Sequence, residues 1–173
     1  PGRELMISDA GEILLRGETL FQGYLNRTAT QASALVLPVN ADGWFASRDR
    51  GLIDAQGRLQ VLGRLDHLFI SGGENIQPEE IEAALLSLHG VSQAIVVPID
   101  DPEFGQRPLA FVEASSFEPQ SWEARLREQL PGYKIPDHFL PWPAEQIGLK
   151  PSRSDLRRRG MQAFPSHGSP GEL

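Results

Sequence analysis

The 173-residue sequence contains no cysteine, and arginine supplies almost all of its positive charge. The absence of cysteine excludes disulfide bonds, thiolate catalysis and cysteine-based zinc sites. Four scattered histidines disfavour a metal centre of another kind, so we predict no metal ligand in this chain. Lys134 and Lys150 are the only lysines. A compact ammonium group among arginines is a candidate for a placed point charge, with codon bias as the alternative explanation.

Strong positive charge and long hydrophobic runs are also lacking. The formal net charge is -7 and the sequence pI is about 5.1, which argues against a nucleic-acid surface or an anionic bilayer as a partner. No apolar run approaches the roughly 18 residues that a spanning helix needs, and no charged segment followed by a hydrophobic stretch opens the chain. We therefore expect a cytoplasmic protein without membrane insertion.

The first part of the chain is punctuated by glycine and contains short, strand-like apolar runs. The run from Gly51 to Leu62 predicts a β-hairpin, because Asp54 suits the start of a turn and Gly57 can adopt a positive φ. We predict that residues 1–65 are β-rich.

After Asp66 the pattern changes to alternating helices and strands. Pro78 suits the first turn of a helix whose buried face repeats at helical spacing until Gly90. Two apolar runs, 94–99 and 109–114, predict strands separated by a polar loop over residues 100–108.

Capping residues predict the elements that follow. Ser121 suits the N-cap of a second helix, and residues 138–140 suit a short strand. Ser152 with Asp155 resembles a capping box that opens a last helix, which Gly160 is expected to end. The overall prediction is an α+β fold: a β-rich piece, then a small α+β domain over residues 66–160 with a three-stranded sheet, helices and a β-hairpin, then a flexible tail over 161–173.

Residues 63–82 combine a Gly-Arg-Leu-Asp sequence, the glycine-rich stretch Ser71-Gly72-Gly73-Glu74-Asn75 and a helix start. This combination resembles the hinge and following loop of adenylate-forming enzymes, the family of acyl-CoA synthetases, luciferases and peptide-synthetase adenylation domains. A front segment with Gly11-Glu12, Gly17 and Gly23-Tyr24 is similar to another motif of that family. The resemblance implies that the β-rich piece is the distal β-subdomain of a large nucleotide-binding domain.

Two residues are implied by the resemblance to bind the nucleotide. Asp49 ends a run similar to the family's aromatic-x-Thr-Gly-Asp motif, whose aspartate accepts hydrogen bonds from both ribose hydroxyls. Ser47 and Arg48 replace the threonine and glycine of that motif. Arg64 is implied to reach ribose or phosphate. Taken alone, Asp49 is equally well a turn residue, and Arg64 a surface ion pair.

Lys150 is implied to be the catalytic residue. The run Lys150-Pro151-Ser152-Arg153 matches the lysine-to-arginine spacing of a family motif whose lysine contacts the substrate carboxylate and the α-phosphate during adenylation. Leu149 stands where that motif has glycine. A lysine that points into water from a mobile loop is the alternative.

The resemblance further implies a hinge at Asp66 and a thioester-forming loop formed by Ser71, Gly72, Gly73 and Glu74. That loop is implied to border the pantetheine channel, where paired glycines allow close backbone approach. No lysine follows the glycines, so a phosphate loop of the nucleotide-triphosphatase kind is the wrong interpretation. As a bare pattern, the two glycines indicate only a turn.

The implied function is the C-terminal part of an ATP-dependent, AMP-forming ligase that joins a carboxylic acid to coenzyme A. Its implied partners are ATP with Mg²⁺, coenzyme A and the N-terminal domain of the same protein, which would hold the metal. The family's phosphate loop and acid pocket have no counterpart in the sequence, so we expect the chain alone to be inactive. A peptide-synthetase adenylation domain and a non-catalytic binding module of the same fold are the alternatives.

Overall fold

A computed structural model describes residues 2–25, 35–36, 38–143 and 152–165. Backbone contacts divide the chain into two compact units, Pro1–Asp66 and His67–Leu173. The predicted α+β class is confirmed, with strands throughout the first unit and three helices around a sheet in the second. No described helix combines the length and apolarity that crossing a membrane requires.

The first unit contains a four-stranded antiparallel sheet and a separate two-stranded ribbon. The sheet has the order β1-β2-β5-β6, and the ribbon pairs β3 with β4. The strands are β1 (Arg3–Ile7), β2 (Glu12–Gly17), β3 (Tyr24–Leu25), β4 (Leu35–Val36), β5 (Phe45–Ile53) and β6 (Leu59–Arg64).

The predicted hairpin is present as the antiparallel pair β5 and β6. The Asp54 carboxylate accepts hydrogen bonds from the backbone N–H groups of Gln56 at 2.9 Å and Arg58 at 2.8 Å. The Arg58 N–H is the main cause that lowers the pKa of Asp54. Gly57 has φ +76°, the left-handed conformation that the sequence predicts there.

The sheet of the first unit has little interior of its own. Ile13 on β2 is its one buried aliphatic side chain among the described residues. Gly51 makes room for it, because a Cβ at that position would lie 2.8 Å from Ile13 Cδ1. Several apolar side chains of the same strands remain exposed, namely Leu5, Met6, Leu52, Ile53, Leu59, Val61 and Leu62.

The second unit follows a 3-10 turn, Leu65–His67, at the boundary. Its central sheet has the order β11-β10-β9, with β10 antiparallel to β9 and parallel to β11. A hairpin of β7 and β8 lies beside it. The elements are β7 (Phe69–Ser71), β8 (Glu74–Ile76), α1 (Pro78–Leu86), β9 (Val91–Asp101), β10 (Gly105–Ala114), α2 (Pro119–Arg127), a 3-10 turn (Gly132–Lys134), β11 (His138–Pro141) and α3 (Arg153–Ala163).

The apolar runs of β9 and β10 are buried because both faces of their sheet are covered. Helices α1 and α2 cover one face, where Leu85 and Leu126 pack against Val96 and Val112. Helix α3 covers the other, where Leu156 packs against Ile95, Val97, Ile99, Leu109 and Phe111. A strand covered on both sides loses the polar alternation of a half-exposed strand.

Several predicted element boundaries are wrong. Helix α1 ends at Leu86, and Gly90 instead supplies a positive φ in the turn before β9. Strands β9 and β10 continue through most of the predicted loop, because Asp101 pairs directly with Gly105. Helix α2 starts at Pro119, which places Ser121 inside it. Backbone pairing and a proline at the first turn outweigh the polar side chains used to place these boundaries.

The last helix begins where the sequence predicts, but it lacks the predicted capping box and ends later than predicted. Ser152 is the N-cap, but its hydroxyl pairs with that of Ser154 and no side chain caps the helix. Gly160 lies within α3, which continues to Ala163. A Cβ at Gly160 would lie 3.2 Å from Ile99 Cγ2 and 3.3 Å from Leu109 Cδ1, so the glycine allows the helix to approach the sheet.

Candidate functional site

The two predicted nucleotide-binding residues lie opposite each other on neighbouring strands. Asp49 on β5 is in register with Arg64 on β6. Arg64 Nη1 lies 3.3 Å from Asp49 Oδ1. The same guanidinium donates to Asp66, with Nε 2.9 Å from Oδ1 and Nη2 3.2 Å from Oδ2. The structure therefore brings Asp49, Arg64 and the predicted hinge residue together.

This cluster is accessible to solvent. The Arg64 side chain is 42% exposed, and those of Asp49 and Asp66 are similarly open. Ion pairs between exposed groups contribute only about 0–1 kcal/mol, so rearranging them costs little. The cluster can exchange an internal contact for one to a ligand that offers hydroxyl or anionic oxygens.

Arg48, directly before Asp49, has φ +66° and is the one non-glycine residue with positive φ among those described. Its N–H donates to Glu12 Oε1 at 2.9 Å, and the Asp49 N–H donates to Ser47 Oγ at 3.0 Å. The left-handed conformation explains why the family motif has glycine at this position. Here the hydrogen bonds to Glu12 and Ser47 hold the left-handed conformation at an arginine.

The strain at Arg48 can be tested with two substitutions that both remove the side chain. We expect Arg48→Gly to be more stable than Arg48→Ala by about 1 kcal/mol, because only glycine adopts positive φ without a Cβ penalty. Chemical denaturation measures the difference. Equal stability of the two variants would show that the backbone at this position relaxes out of the left-handed region.

The predicted thioester loop is the turn of the β7–β8 hairpin, hereafter the glycine hairpin. Gly72 has φ +56° and Gly73 φ +86°, and Ser71 pairs with Glu74 across a two-residue loop, as in a type I′ turn. The Gly72 N–H donates to the Phe104 carbonyl at 2.9 Å. A Cβ at Gly72 would lie 3.0 Å from Phe104 Cδ1, whereas nothing lies near one at Gly73.

The glycine hairpin borders an open pocket of about 320 Å³. Its lining residues are Ser71, Gly72, Glu74, Phe104, Arg107, Gly132 and Tyr133. Ser71 is only 1% exposed, and its hydroxyl accepts from Arg107 Nη1 at 3.4 Å. The part of this loop that solvent reaches is therefore the Gly72–Glu74 segment and not the Ser71 side chain.

Arg107 fixes the floor of this pocket. It donates to Asp137 through Nε at 2.7 Å and Nη2 at 2.6 Å, and to the Tyr133 carbonyl at 2.9 Å. The Asp137 hydrogen bonds are the main cause that raises the pKa of Arg107 above its ordinary value. Sequence reasoning missed Tyr133 and Asp137, because their approach to Arg107 depends on the pairing of β10 with β11.

A second polar cluster joins α1, α3 and the free edge of β9. Arg153, the first residue of α3, donates to both Glu82 oxygens, at 2.7 and 2.9 Å, and to the Val96 carbonyl at 2.8 Å. Glu82 Oε1 also accepts from the Val96 N–H at 2.7 Å. The Glu82 side chain is 12% exposed. We call this arrangement of Glu82, Arg153 and Val96 the edge clamp.

Glu79 lies one turn before Glu82 on α1. Its Oε1 is 2.5 Å from His67 Nδ1 and 3.4 Å from Arg153 Nη2, and its Oε2 accepts from Gln77 Nε2 at 2.5 Å. Partial burial acts to raise the pKa of Glu79, but the hydrogen bonds from His67 and Gln77 and the charge of Arg153 outweigh it, so the pKa is lowered.

The lowered pKa of Glu79 predicts an acid-sensitive contribution to stability. A carboxylate whose pKa is lower in the folded state stabilises that state fully at any pH above its unfolded pKa of about 4.3. This stabilisation is lost as the pH falls through the pKa of the folded state. We therefore expect the free energy of unfolding to fall below about pH 4.3, and to fall less steeply in Glu79→Gln. Denaturation at a series of pH values checks this, and identical pH dependence in both proteins would contradict it.

Of the two lysines, one lies outside the described residues and the other forms an ion pair. Lys150 lies outside the described residues, which resume at Ser152. Lys134 pairs with Glu80, with Nζ 2.6 Å from Oε2, and its side chain is 14% exposed. Within the described ranges, no group of three or more acidic or histidine side chains could hold a metal ion.

Comparison with known proteins identifies the group to which these features belong. A family model described as the AMP-binding enzyme C-terminal domain matches residues 80–146. The 2-succinylbenzoate–CoA ligase of Salmonella typhimurium is 42% identical over 168 residues, which cover 95% of this chain and 34% of that protein. The chain belongs to the adenylate-forming family of AMP-binding enzymes.

Solved structures agree with this membership. The chain matches E. coli MenE with bound OSB-AMS at a TM-score of 0.79 and 38% identity, over 94% of this chain and 35% of that one. It matches Bacillus subtilis o-succinylbenzoate CoA synthetase, in complex with the acyl-adenylate intermediate OSB-AMP, at a TM-score of 0.72 and 30% identity, over 99% of this chain and 35% of that one. The chain spans about a third of the length of the relatives it matches.

Proposed function

We propose that this chain is the C-terminal part of an ATP-dependent, AMP-forming ligase that converts o-succinylbenzoate to its CoA thioester in menaquinone biosynthesis. The observation that carries the proposal is similarity over almost the whole chain to 2-succinylbenzoate–CoA ligases. The reaction has two steps, adenylation of the acid by ATP and transfer of the acyl group to the CoA thiol. A cytoplasmic location follows from these soluble substrates.

The cluster of Asp49 and Arg64 supports a nucleotide site on the first unit. A carboxylate offers two oxygens side by side and can accept from both ribose hydroxyls. Arg64 supplies a planar fork that suits phosphate oxygens. The contacts that these side chains make with each other are exposed ion pairs of low energy, so a nucleotide can replace them.

In the proposed adenylation step, Lys150 contacts the acid carboxylate and the α-phosphate. Attack of a carboxylate on a phosphate brings two anions together, and charge builds on the phosphoryl oxygens. One cation at about 4 Å and an effective dielectric near 20 stabilises that charge by about 4 kcal/mol. The group therefore acts by electrostatic stabilisation of the transition state.

In the proposed thioester step, the glycine hairpin lines the path of the CoA pantetheine arm. Two glycines at the tip keep the backbone free of side chains, which allows close approach of a narrow chain. The adjoining pocket, with the Tyr133 ring and the Arg107 guanidinium in its wall, adds aromatic and cationic groups beside that path. Rotation about Asp66 would exchange this surface for the one that carries Lys150.

The exposed apolar side chains of the first unit support the N-terminal domain of the same protein as its partner. Large apolar side chains left exposed on both faces of a sheet are typical of surfaces that another part of a protein covers. The phosphate loop, the acid pocket and most ligands of Mg²⁺ are assigned to that domain, and the chain alone is proposed to be inactive.

The proposed role of Lys150 gives a test in the full-length protein. We expect Lys150→Ala to lower pyrophosphate exchange by about 10²- to 10³-fold, because the fixed cation at the α-phosphate is lost. Thioester formation from supplied o-succinylbenzoyl-adenylate should remain largely intact. Equal loss of both half-reactions in Lys150→Ala would refute the role assigned to Lys150. If the wild-type protein exchanges pyrophosphate with other acids but not with o-succinylbenzoate, the proposed substrate is refuted.

The proposed hinge gives an independent test. Asp66→Pro fixes φ and should block the rotation, so we expect pyrophosphate exchange to survive and thioester formation from supplied adenylate to fall by more than 10-fold. Asp66→Gly is the matched control, since it also loses the pair with Arg64 but keeps the rotation. Unchanged thioester formation in Asp66→Pro would remove the hinge assignment.

A further inference from the structure

One carboxylate in the second unit contacts two distant parts of the chain. His67 is the first residue after Asp66, and Arg153 is the first residue of α3. Both approach the same oxygen, Glu79 Oε1, at 2.5 and 3.4 Å. The first and last described parts of this unit therefore meet at a single side chain on α1.

The position of Glu79 is fixed from several directions. Pro78 starts α1 and is buried, and Gln77 donates to the second carboxylate oxygen. The side chains of Glu79 and His67 are only 24% and 27% exposed, so their contact is shielded from water more than the pairs around Arg64 are. A shielded charged hydrogen bond holds its geometry better than an exposed one.

Because of the edge clamp, a change at Glu79 is not expected to unfold this part of the second unit. Glu82 binds Arg153 through both carboxylate oxygens and also binds the Val96 backbone. Arg153 therefore stays anchored to the sheet when Glu79 is changed. What Glu79 adds is the connection from that anchored arginine to His67.

We propose that Glu79 is a positioning residue that couples the segment leaving the pivot to the start of α3, so that both move as one body. This inference rests on the proposed function, which assigns the pivot to Asp66 and places Lys150 three positions before Arg153. If the two ends are joined, a rotation at the pivot is transmitted directly to the start of α3. If they are not, part of that rotation is absorbed within the second unit.

The coupling between these two segments can be tested without an activity assay. In the full-length protein, we expect Glu79→Gln to speed amide hydrogen exchange at least several-fold at residues 67–70 and at residues 156–159, the first amides of α3 with helical acceptors, because each segment loses one of its contacts. Glu80→Gln is the matched control, since Glu80 occupies the same turn but pairs with Lys134. Faster exchange at only one of the two segments, or at neither, would overturn the coupling.

The functional consequence is measured by the two half-reactions. Loss of the connection between His67 and Arg153 should lower pyrophosphate exchange by about 10- to 100-fold in Glu79→Gln, as a misplacement on the order of 1 Å does. Thioester formation from supplied adenylate should change less than twofold, and Glu80→Gln should match the wild type in both. Adding His67→Ala to Glu79→Gln should cause little further loss, because both changes remove the same contact.

The outcomes separate the inference from the function on which it rests. A wild-type protein without pyrophosphate exchange would refute the proposed function, while the hydrogen-exchange comparison would still decide whether Glu79 joins the two segments. A wild-type protein that exchanges pyrophosphate normally, with Glu79→Gln equally active, would refute the positioning role. Equal loss of both half-reactions in Glu79→Gln would also refute it, since that pattern indicates general damage.

Discussion

The second unit depends on how the free edge of β9 is satisfied. An edge strand leaves N–H and C=O groups that must find partners, and these groups invite another strand to pair. At Val96 the partners are side chains: Glu82 accepts from the N–H and Arg153 donates to the carbonyl. Because these two side chains also bind each other, the edge is closed by an ion pair that ties one helix from each face of the sheet to the strand between them. This contact adds a polar constraint on the positions of both helices to the constraint that apolar packing sets.

The two units differ in what holds them together. The second has apolar clusters on both faces of its sheet and a shielded ion pair at the edge. The first relies on turns and backbone pairing, with Asp54 and Gly57 closing one hairpin and Ile13 as the one buried aliphatic side chain among its described residues. A sheet with so little interior gains most of its stability from whatever covers it. This contrast supports the proposal that another part of the same protein covers the first unit.

The sequence predicted the features whose causes are local. Glycine and aspartate placed the β5–β6 hairpin, and Pro78 with the apolar spacing behind it placed α1. Boundaries set by distant contacts were missed. Gly160 looks like a helix terminator, but its lack of a side chain serves the approach of α3 to Ile99 and Leu109. The resemblance singled out Asp49, Arg64 and Asp66 one by one, and the structure adds that their side chains contact each other. The resemblance gave no sign of the contacts of Glu79 and Glu82, because acidic residues near the start of a helix already have a local explanation in the helix dipole.

Arg64 and Arg153 both form ion pairs with carboxylates, but the two sets of pairs differ in their exposure to solvent. Arg64 shares its charge between two carboxylates that remain open to water, so each contact is weak and can be replaced by a ligand. Arg153 is held by Glu82 and by a backbone carbonyl in a shielded position, where removing one partner leaves the other without compensation. The first arrangement suits a site that must rearrange during a reaction, and the second suits a joint that must not. Glu79 extends the second arrangement to His67, and so carries a rigid connection up to the residue next to the proposed pivot.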